Sequence, residues 1–457
     1  MGIIHMSSEE IQKSVSSGLI TIAVYGMGRV GIPIAVAWLR AGARVIGVDI
    51  NESLVSNLNN GVVNLKDEPG IEEGIRKGLK EGKFKATTDG IQASKSSDVK
   101  IIVVPTVLNN QRRLDTRNLE DVTRKIGKGL KKGDVVIVEC TVPPLTTEFL
   151  IKRILEEEGN LKVEEDFALA YSPERIYEGR ALRDIEENYP KVVGGVGPKS
   201  TDVVAALYEC VAKKGVIKLK RAREAEASKV FEGVYRDVNI ALANELAKFC
   251  DSAGIDFIEA RSAANSQPFC HLHLPGIGVG GLCIPIYPYF LTSVAENFGL
   301  DMRIVKQARS TNDDMPKYVL HLLNKLLDRL GLEAGKVKIG VLGLSFRGDV
   351  SDIRLSPAIE FIKLIHGSFA GVKAYDPFVE RVEGIDTCKT LDELLAWADI
   401  LVVATDHSSF KKLDLRHVDN RLIIVDGRNV LDPSLLPKGS IYLGIGRASS
   451  EAPFYKS

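Results

Sequence analysis

The stretch TIAVYGMGRVGIPIAVAWLRAGARVIGVD, residues 21–49, decides the fold. It begins as an apolar strand, turns through Gly26, Gly28 and Gly31, runs on as an apolar helix-length segment and returns to a second strand closed by Asp49. A strand, a glycine turn and a helix in that order present a helix N-terminus, with its unpaired N–H groups, to a phosphate. The first glycine permits the tight turn, the second lets a pyrophosphate approach the backbone, and the third lets the helix pack closely. Asp49 follows Gly31 by eighteen residues, the place of a carboxylate that accepts from a ribose hydroxyl and repels a 2'-phosphate, which favours NAD over NADP. The bland alternative is a glycine turn with a packing role only.

Outward from this stretch the same rhythm recurs. ARVIGVD closes it, VKIIVVPT and DVVIVECT follow it, and VKIGVLG, GVKAYD, DILVVAT and RLIIVDG appear late in the chain. Apolar strand-length runs alternating with helix-length segments predict two doubly wound parallel sheets. The halves echo each other, each with a glycine turn after its first strand and an aspartate closing its second, Asp49 and Asp376. Between them, Glu224 to Cys250 carries apolar residues at 227, 230, 231, 234, 238, 241, 242, 246 and 249. That spacing predicts a long helix whose apolar face is wide enough to contribute to a homodimer interface.

At 457 residues the chain exceeds what one core supports, and the linker is expected near residues 330–336. The domains read as 1–215, 216–330 and 331–457, the middle one small and helical. Sixty basic and sixty acidic residues cancel, so net charge gives no attraction to nucleic acid or membrane, and anionic ligands must be held by local sites. The N-terminus shows no signal-peptide pattern, and a cytoplasmic location is expected. Ser262 to Ala295 contains no Asp, Glu, Lys or Arg, but its prolines and glycines argue against a membrane span and for a bent, buried loop. Six cysteines form no C-x-x-C pair, which disfavours zinc and a disulfide framework. No metal is expected, and His271 and His273 read as a packed or solvent-facing pair.

In the second half, GLSFRGDVSDIRLSP carries Arg347 and Arg354, and DGRNV carries Arg428. Arginines at strand ends suit bidentate contact with phosphates, and together they favour a second anionic ligand such as a nucleotide diphosphate.

The segments IAVYGMGRVGIP, VVPT, ECTVPPLTTE, YSPERIYEGRA, PKVVGG, GVGGLCIPIYPYFL, GLSFRGDVSDIRLSP and DGRNV, in this order, resemble the UDP-glucose/GDP-mannose dehydrogenase family over nearly the whole chain. GVGGLCIPIYPYFL and YRDVNIALANELA look most like the branch that oxidises UDP-N-acetylmannosamine. The resemblance implies NAD-dependent, four-electron oxidation of a sugar-nucleotide C6 alcohol to the acid through a thioester on Cys283, because a second hydride can leave only from a tetrahedral adduct. It implies Lys229 as the stabiliser of thiolate and oxyanion, and Glu174 and Thr141 as groups that hold or activate water. For the cofactor it implies Gly26, Gly28, Arg29, Val30, Gly31, Asp49, Thr106, Thr141 and Arg354. For the UDP-sugar it implies Arg175, Ile176, Glu178, Lys229, Gly280, Phe346, Arg347 and Arg428.

Some positions depart from the family pattern. Tyr287 stands for an aspartate, Gly233 for an asparagine, Leu145 for a glycine and Phe269 for an arginine frequent in the nearest branch. UDP-glucose, another UDP-acetamido sugar, an inactive sugar-nucleotide-binding relative and a two-electron 3-hydroxyacid-type dehydrogenase therefore stay open beside the leading reading.

Overall fold

A computed structural model describes residues 2–65, 67–418 and 422–447. The chain divides into two compact units, residues 1–232 and 233–457.

The first unit is built on eight strands: β1 (Thr21–Tyr25), β2 (Arg44–Val48), β3 (Phe84–Thr87), β4 (Val99–Ile102), β5 (Val135–Val138), β6 (Ala168–Tyr171), β7 (Lys191–Gly195) and β8 (Val216–Leu219). They lie in the order β3-β2-β1-β4-β5-β6-β7-β8. Because strand side chains alternate between faces, β1 sends Ile22 and Val24 into one buried cluster and Ala23 and Tyr25 into another. Both faces are covered, as a doubly wound sheet requires. The order reverses beside β1, and the crevice at such a reversal is where ligands sit in open sheets of this kind.

All neighbours in this sheet are parallel except β6 and β7, where Tyr171 faces Gly194. This single antiparallel pairing differs from the all-parallel expectation and has a consequence. The connection 172–190 leaves and re-enters at the carboxyl edge of the sheet, so the SPERIYE segment stays on the edge that carries the glycine turn.

The second unit holds β9 (Lys338–Leu342), β10 (Gly371–Tyr375), β11 (Ile400–Val403), β12 (Ile423–Asp426) and β13 (Ile441–Gly444). Their order is β10-β9-β11-β12-β13, and every pairing is parallel. Again the faces alternate, with Ile400 and Val402 in one cluster and Leu401 and Val403 in the other. The two sheets and the long helix, Ala222–Ala253, match the expected α/β class. Among the described residues no helix is long and apolar enough to cross a membrane.

Candidate functional site

In the first unit the glycine turn follows β1. Gly26 takes φ +101°, and a methyl there would lie 2.3 Å from the Val103 carbonyl oxygen. One at Gly31 would lie 1.8 Å from the Gly26 carbonyl oxygen, whereas one at Gly28 would meet nothing within 4 Å. The outer glycines are thus required for closure and packing, and the middle one leaves open space where a ligand can approach. Val30 precedes the helix Gly31–Ala41 and accepts from Ile34 N at 3.2 Å. Asp49 is half-buried and accepts from Met27 N at 2.8 Å and Asn51 N at 3.0 Å, one bond to each carboxylate oxygen. A carboxylate has capacity for more. Open backbone, helix N-terminus and half-exposed aspartate suit a dinucleotide, and Thr106 lies half-buried four residues beyond β4.

Arg29 joins two sets of expected ligands. Its guanidinium pairs with Asp67 and, at 3.1 Å, with Glu178. Ile176, in the same segment, packs on the core.

Glu174 shows why the antiparallel strand matters. Extending the register that sets Tyr171 opposite Gly194 sets Glu174 opposite Lys191, and their charges meet at 2.5 Å. Lys191 also reaches Glu139 at 3.1 Å and lies 4.8 Å from the Tyr208 ring centroid. Burial pushes the Glu139 carboxyl up to about 7, the Lys191 ammonium opposing it. Burial works against the Lys191 charge too, but Glu139 and Glu174 together hold it above its usual range. Two carboxylates therefore share one buried cation directly behind the SPER loop. Arg175 donates its backbone N–H to Glu174 Oε1 at 2.8 Å, and its guanidinium meets Glu232 at 3.5 Å and the Pro190 carbonyl.

The loop carrying Thr141 is held by the long helix. Buried Glu226 accepts from Leu145 N at 2.6 Å and Thr147 N at 2.7 Å. Leu145 has φ +80°, the left-handed region that favours glycine; the Glu226 carboxylate holds a leucine in it. Lys229 follows on the same helix, half-buried. Sequence reasoning missed Glu139, Lys191 and Glu226. For Glu139 and Lys191 the available signal was a charge inside an apolar run, VVIVECT and PKVVGG; Glu226, in the charged segment RAREAEASK, had no such signal.

In the second unit the cysteine loop lies across the ends of β9 and β12. Gly276 N donates to Asn244 Oδ1 at 2.9 Å, Ile277 N to Gly427 O at 2.8 Å and Gly281 N to Arg354 O at 2.9 Å. Methyls at Gly280 and Gly281 would lie 2.7 and 2.8 Å from Phe346 side-chain atoms, and one at Gly276 would lie 3.0 Å from Arg428 Nη1. Ile286 N and Tyr287 N both donate to the Cys283 carbonyl, at 3.1 and 3.0 Å. Gly280, Gly281, Phe346 and Arg428 thus pack together, and Cys283 follows Gly281 by two residues. Cys283 is the exposed cysteine among the six. Burial pushes the Cys140 thiol up to about 12 and the Cys210 thiol to about 11.

Arg428 donates Nε to Ala404 O and Nη2 to Phe346 O, each at 3.1 Å. Arg347 sits in the turn after β9, and Arg354 makes a bidentate pair with Asp352, Nε to Oδ1 at 2.8 Å and Nη2 to Oδ2 at 2.5 Å. His273 packs edge-on against Tyr235, centroids 6.2 Å apart, and Phe269 is 92% exposed.

Two of the departures touch each other. A methyl at Gly233 would lie 2.3 Å from Tyr287 Cδ2, so the tyrosine ring fills the space into which a side chain at 233 would project. Gly233→Ala gains about 1 kcal/mol of helix propensity but forces a buried ring to move, an overpacking that costs about 1–3 kcal/mol. Overpacking is expected to win, with a lower thermal midpoint. In a Tyr287→Ala background the same change is expected to stabilise, and equal effects in both backgrounds would break the coupling.

Residues 20–212 match the description "UDP-glucose/GDP-mannose dehydrogenase family, NAD binding domain", residues 223–314 its central domain and residues 340–433 its UDP binding domain. The chain is 38% identical to a UDP-N-acetyl-D-mannosamine dehydrogenase of Pyrococcus horikoshii, covering 93% of this chain and 99% of that one. It is 34% identical to an NDP-N-acetyl-D-galactosaminuronic acid dehydrogenase of Ralstonia nicotianae, covering 88% and 95%. Among solved structures, the UDP-D-ManNAc dehydrogenase of Pyrococcus horikoshii superposes with a TM-score of 0.87 at 36% identity, covering 94% of this chain and 100% of that one. A UDP-glucose dehydrogenase of Pyrobaculum islandicum does so with 0.83 at 30% identity, covering 94% and 98%.

Proposed function

The chain belongs to the UDP-glucose/GDP-mannose dehydrogenase family of NAD-dependent nucleotide-sugar dehydrogenases, and from that premise we propose that it oxidises the C6 hydroxyl of UDP-N-acetylmannosamine to the uronate. The observation that carries the reading is the cysteine loop: an exposed thiol on a glycine backbone that rests on Phe346 and Arg428. Names of relatives over nearly full length favour the acetamido sugar; one relative is named for another acetamido sugar, and selectivity between epimers rests on a few pocket contacts.

Two NAD supply the hydride acceptors for a four-electron oxidation, and Gly26, Gly28, Arg29, Val30, Gly31, Asp49, Thr106 and Arg354 are the groups proposed to hold the cofactor. The Cys283 thiolate adds to the C6 aldehyde carbon to give a thiohemiacetal, whose loss of hydride leaves a thioester. Lys229 neutralises the oxyanion of each tetrahedral species. Thr141 holds the water that attacks the thioester carbon, Glu174 takes its proton, and the carbon–sulfur bond breaks to return the thiolate. Arg347 and Arg428 hold the diphosphate, while Arg175, Ile176, Glu178, Gly280 and Phe346 line the sugar and its nucleotide. Tyr235, Leu242 and Phe249 form an exposed apolar stripe at heptad spacing on the long helix, the face proposed to pair with a second copy.

The test is NADH counted per sugar across UDP-N-acetylmannosamine, UDP-N-acetylglucosamine, UDP-N-acetylgalactosamine and UDP-glucose. Two NADH and a uronate from UDP-N-acetylmannosamine are expected. One NADH would indicate a two-electron enzyme, faster turnover of another sugar would reassign the substrate, and binding without NADH from any sugar would indicate a binding protein.

Asp49 should set the cofactor preference, since a carboxylate beside a 2'-phosphate is a like-charge contact. Asp49→Ala is expected to raise the kcat/KM ratio of NADP to NAD by roughly tenfold or more, the effect of about 1.4 kcal/mol. An unchanged ratio removes Asp49 from the ribose.

A further inference from the structure

The two aspartates that close the second strand of each sheet have different fates. Asp49 accepts one backbone N–H per oxygen and stays half-exposed. Asp376 is buried and fully engaged. Its Oδ1 accepts from Phe378 N at 2.8 Å and Val379 N at 3.1 Å, and its Oδ2 accepts from Leu344 N at 2.6 Å and Ser345 N at 3.0 Å. Oδ2 also meets His407 Nε2 at 3.0 Å. Asp376 therefore has no place for a ribose, and its partner His407 has a different task.

His407 is fully buried between two aromatic rings, stacked on Phe378 at 5.2 Å and edge-on to Phe410 at 5.2 Å. Its tautomer follows from its partners. Asp349 N donates to Nδ1 at 3.0 Å; an amide N–H can only donate, so Nδ1 carries no proton. The ring proton is then on Nε2, pointing at Asp376 Oδ2, with Ser345 Oγ 3.2 Å away. The charged groups around the ring are carboxylates of Asp376 and Asp349, the latter 3.9 Å from Nδ1, with Asp406 preceding it in the chain.

The imidazole thereby ties both ends of one short turn. Ser345 begins that turn and Asp349 ends it, and between them lie Phe346 and Arg347. Asp349 has φ +60°, a left-handed conformation that a non-glycine residue keeps only when its surroundings hold it. The segment after β11 supplies the hold throughout: Thr405 Oγ1 donates to Ser345 O at 2.7 Å, Gly348 N donates to Asp406 Oδ1 at 3.0 Å, and Ser408 N donates to Asp349 Oδ1 at 2.9 Å. Ser345 Oγ donates to the Arg347 carbonyl at 3.0 Å.

We infer that neutral His407 is a positioning residue for nucleotide binding, which fixes the turn 345–349 by accepting the Asp349 N–H and so presents Phe346 and Arg347 in the geometry that a UDP diphosphate requires. The inference rests on the reading of Phe346 and Arg347 as UDP ligands. His407 touches neither substrate nor cofactor, so its removal should act on nucleotide affinity and leave the dinucleotide site alone.

Two isosteric replacements separate the halves of the ring. Asparagine puts an acceptor at the Nδ1 position and drops the Asp376 contact, whereas glutamine reaches the Nε2 position and leaves the Asp349 N–H orphaned. Titration calorimetry with UDP and, separately, NADH on the full-length chain is the experiment, with thermal midpoints recorded for each variant. H407Q is expected to bind UDP roughly fivefold or more weakly, the scale of one lost hydrogen bond of about 1 kcal/mol at a part-buried donor, while H407N stays severalfold tighter than H407Q. Both should bind NADH as the wild type does. UDP affinity unchanged in H407Q, or lost equally in H407N and H407Q, would overturn the inference, as would a parallel loss of NADH binding. If the wild type itself failed to bind UDP, the assignment of the UDP ligands would fall and the inference with it.

Discussion

Cys283→Ser is expected to lower the rate of uronate formation by on the order of a thousandfold or more, the scale on which removal of a covalent nucleophile acts, with UDP and NADH binding close to wild type. An alcohol can lose one hydride without a nucleophile, but the aldehyde needs an adduct before it can lose the second. Thiolate is a good nucleophile and a good acyl leaving group near neutral pH, and a serine hydroxyl is neither without a dedicated base. Cys140 and Cys210 cannot stand in, since burial holds the Cys140 thiol at about 12 and the Cys210 thiol at about 11. The variant should therefore stop at the aldehyde or accumulate an ester on the serine, which intact-protein mass spectrometry after turnover would register. Wild-type uronate production by Cys283→Ser would rule out covalent catalysis at this residue.

The parts of the fold legible in the sequence were those in which one residue type is forced by backbone geometry. Gly26 at φ +101° against the Val103 carbonyl admits no side chain, so its turn reads directly. The eight strands recognised include four that span only four residues, β4, β5, β11 and β12, which read as apolar runs because their sequences are VKII, VVIV, ILVV and IIVD. β3, β6, β7, β8 and β13 were not recognised: FKAT, ALAY and VIKL carry lysine or alanine where a β-branched run would have marked a strand. With β7 unrecognised, its antiparallel register stayed hidden, and with it the Glu139, Lys191 and Glu174 cluster, whose members meet only through pairing across the sheet. The Asp49 and Asp376 echo shows the converse limit. Equal placement at a strand end does not fix burial, and five hydrogen-bond partners make Asp376 a structural clasp where Asp49 stays accessible. Gly233 and Tyr287 looked like two separate losses of polar side chains; in space they are one exchange, a ring for a side chain.

Arg428→Ala is expected to weaken UDP-sugar binding by about 1.5–3 kcal/mol, the range for hydrogen bonds to a charged group, which is roughly ten- to 150-fold in Kd. Two effects act in the same direction. The guanidinium is lost from the phosphate, and the Ala404 and Phe346 carbonyls, each held at 3.1 Å by Nε and Nη2, lose a shared donor that joins the ends of β9 and β11. A planar group with five donors can bridge both carbonyls and still face an anion; an ammonium cannot reproduce that fork. Arg428→Lys, which keeps the charge, should therefore behave more like alanine than like the wild type. Calorimetry with UDP reads the loss and NADH binding serves as the internal control. If charge alone mattered, lysine would restore the affinity; if Arg428 lay outside the site, alanine would leave it unchanged. Burial works against the charge of neighbouring Asp406, yet Arg428 and the backbone N–H of Gly348 hold its carboxyl below the usual range. Removing the arginine thus also loosens the Asp406 contact to Gly348, next to the turn that His407 holds, which places the alanine variant toward the upper end of the expected range.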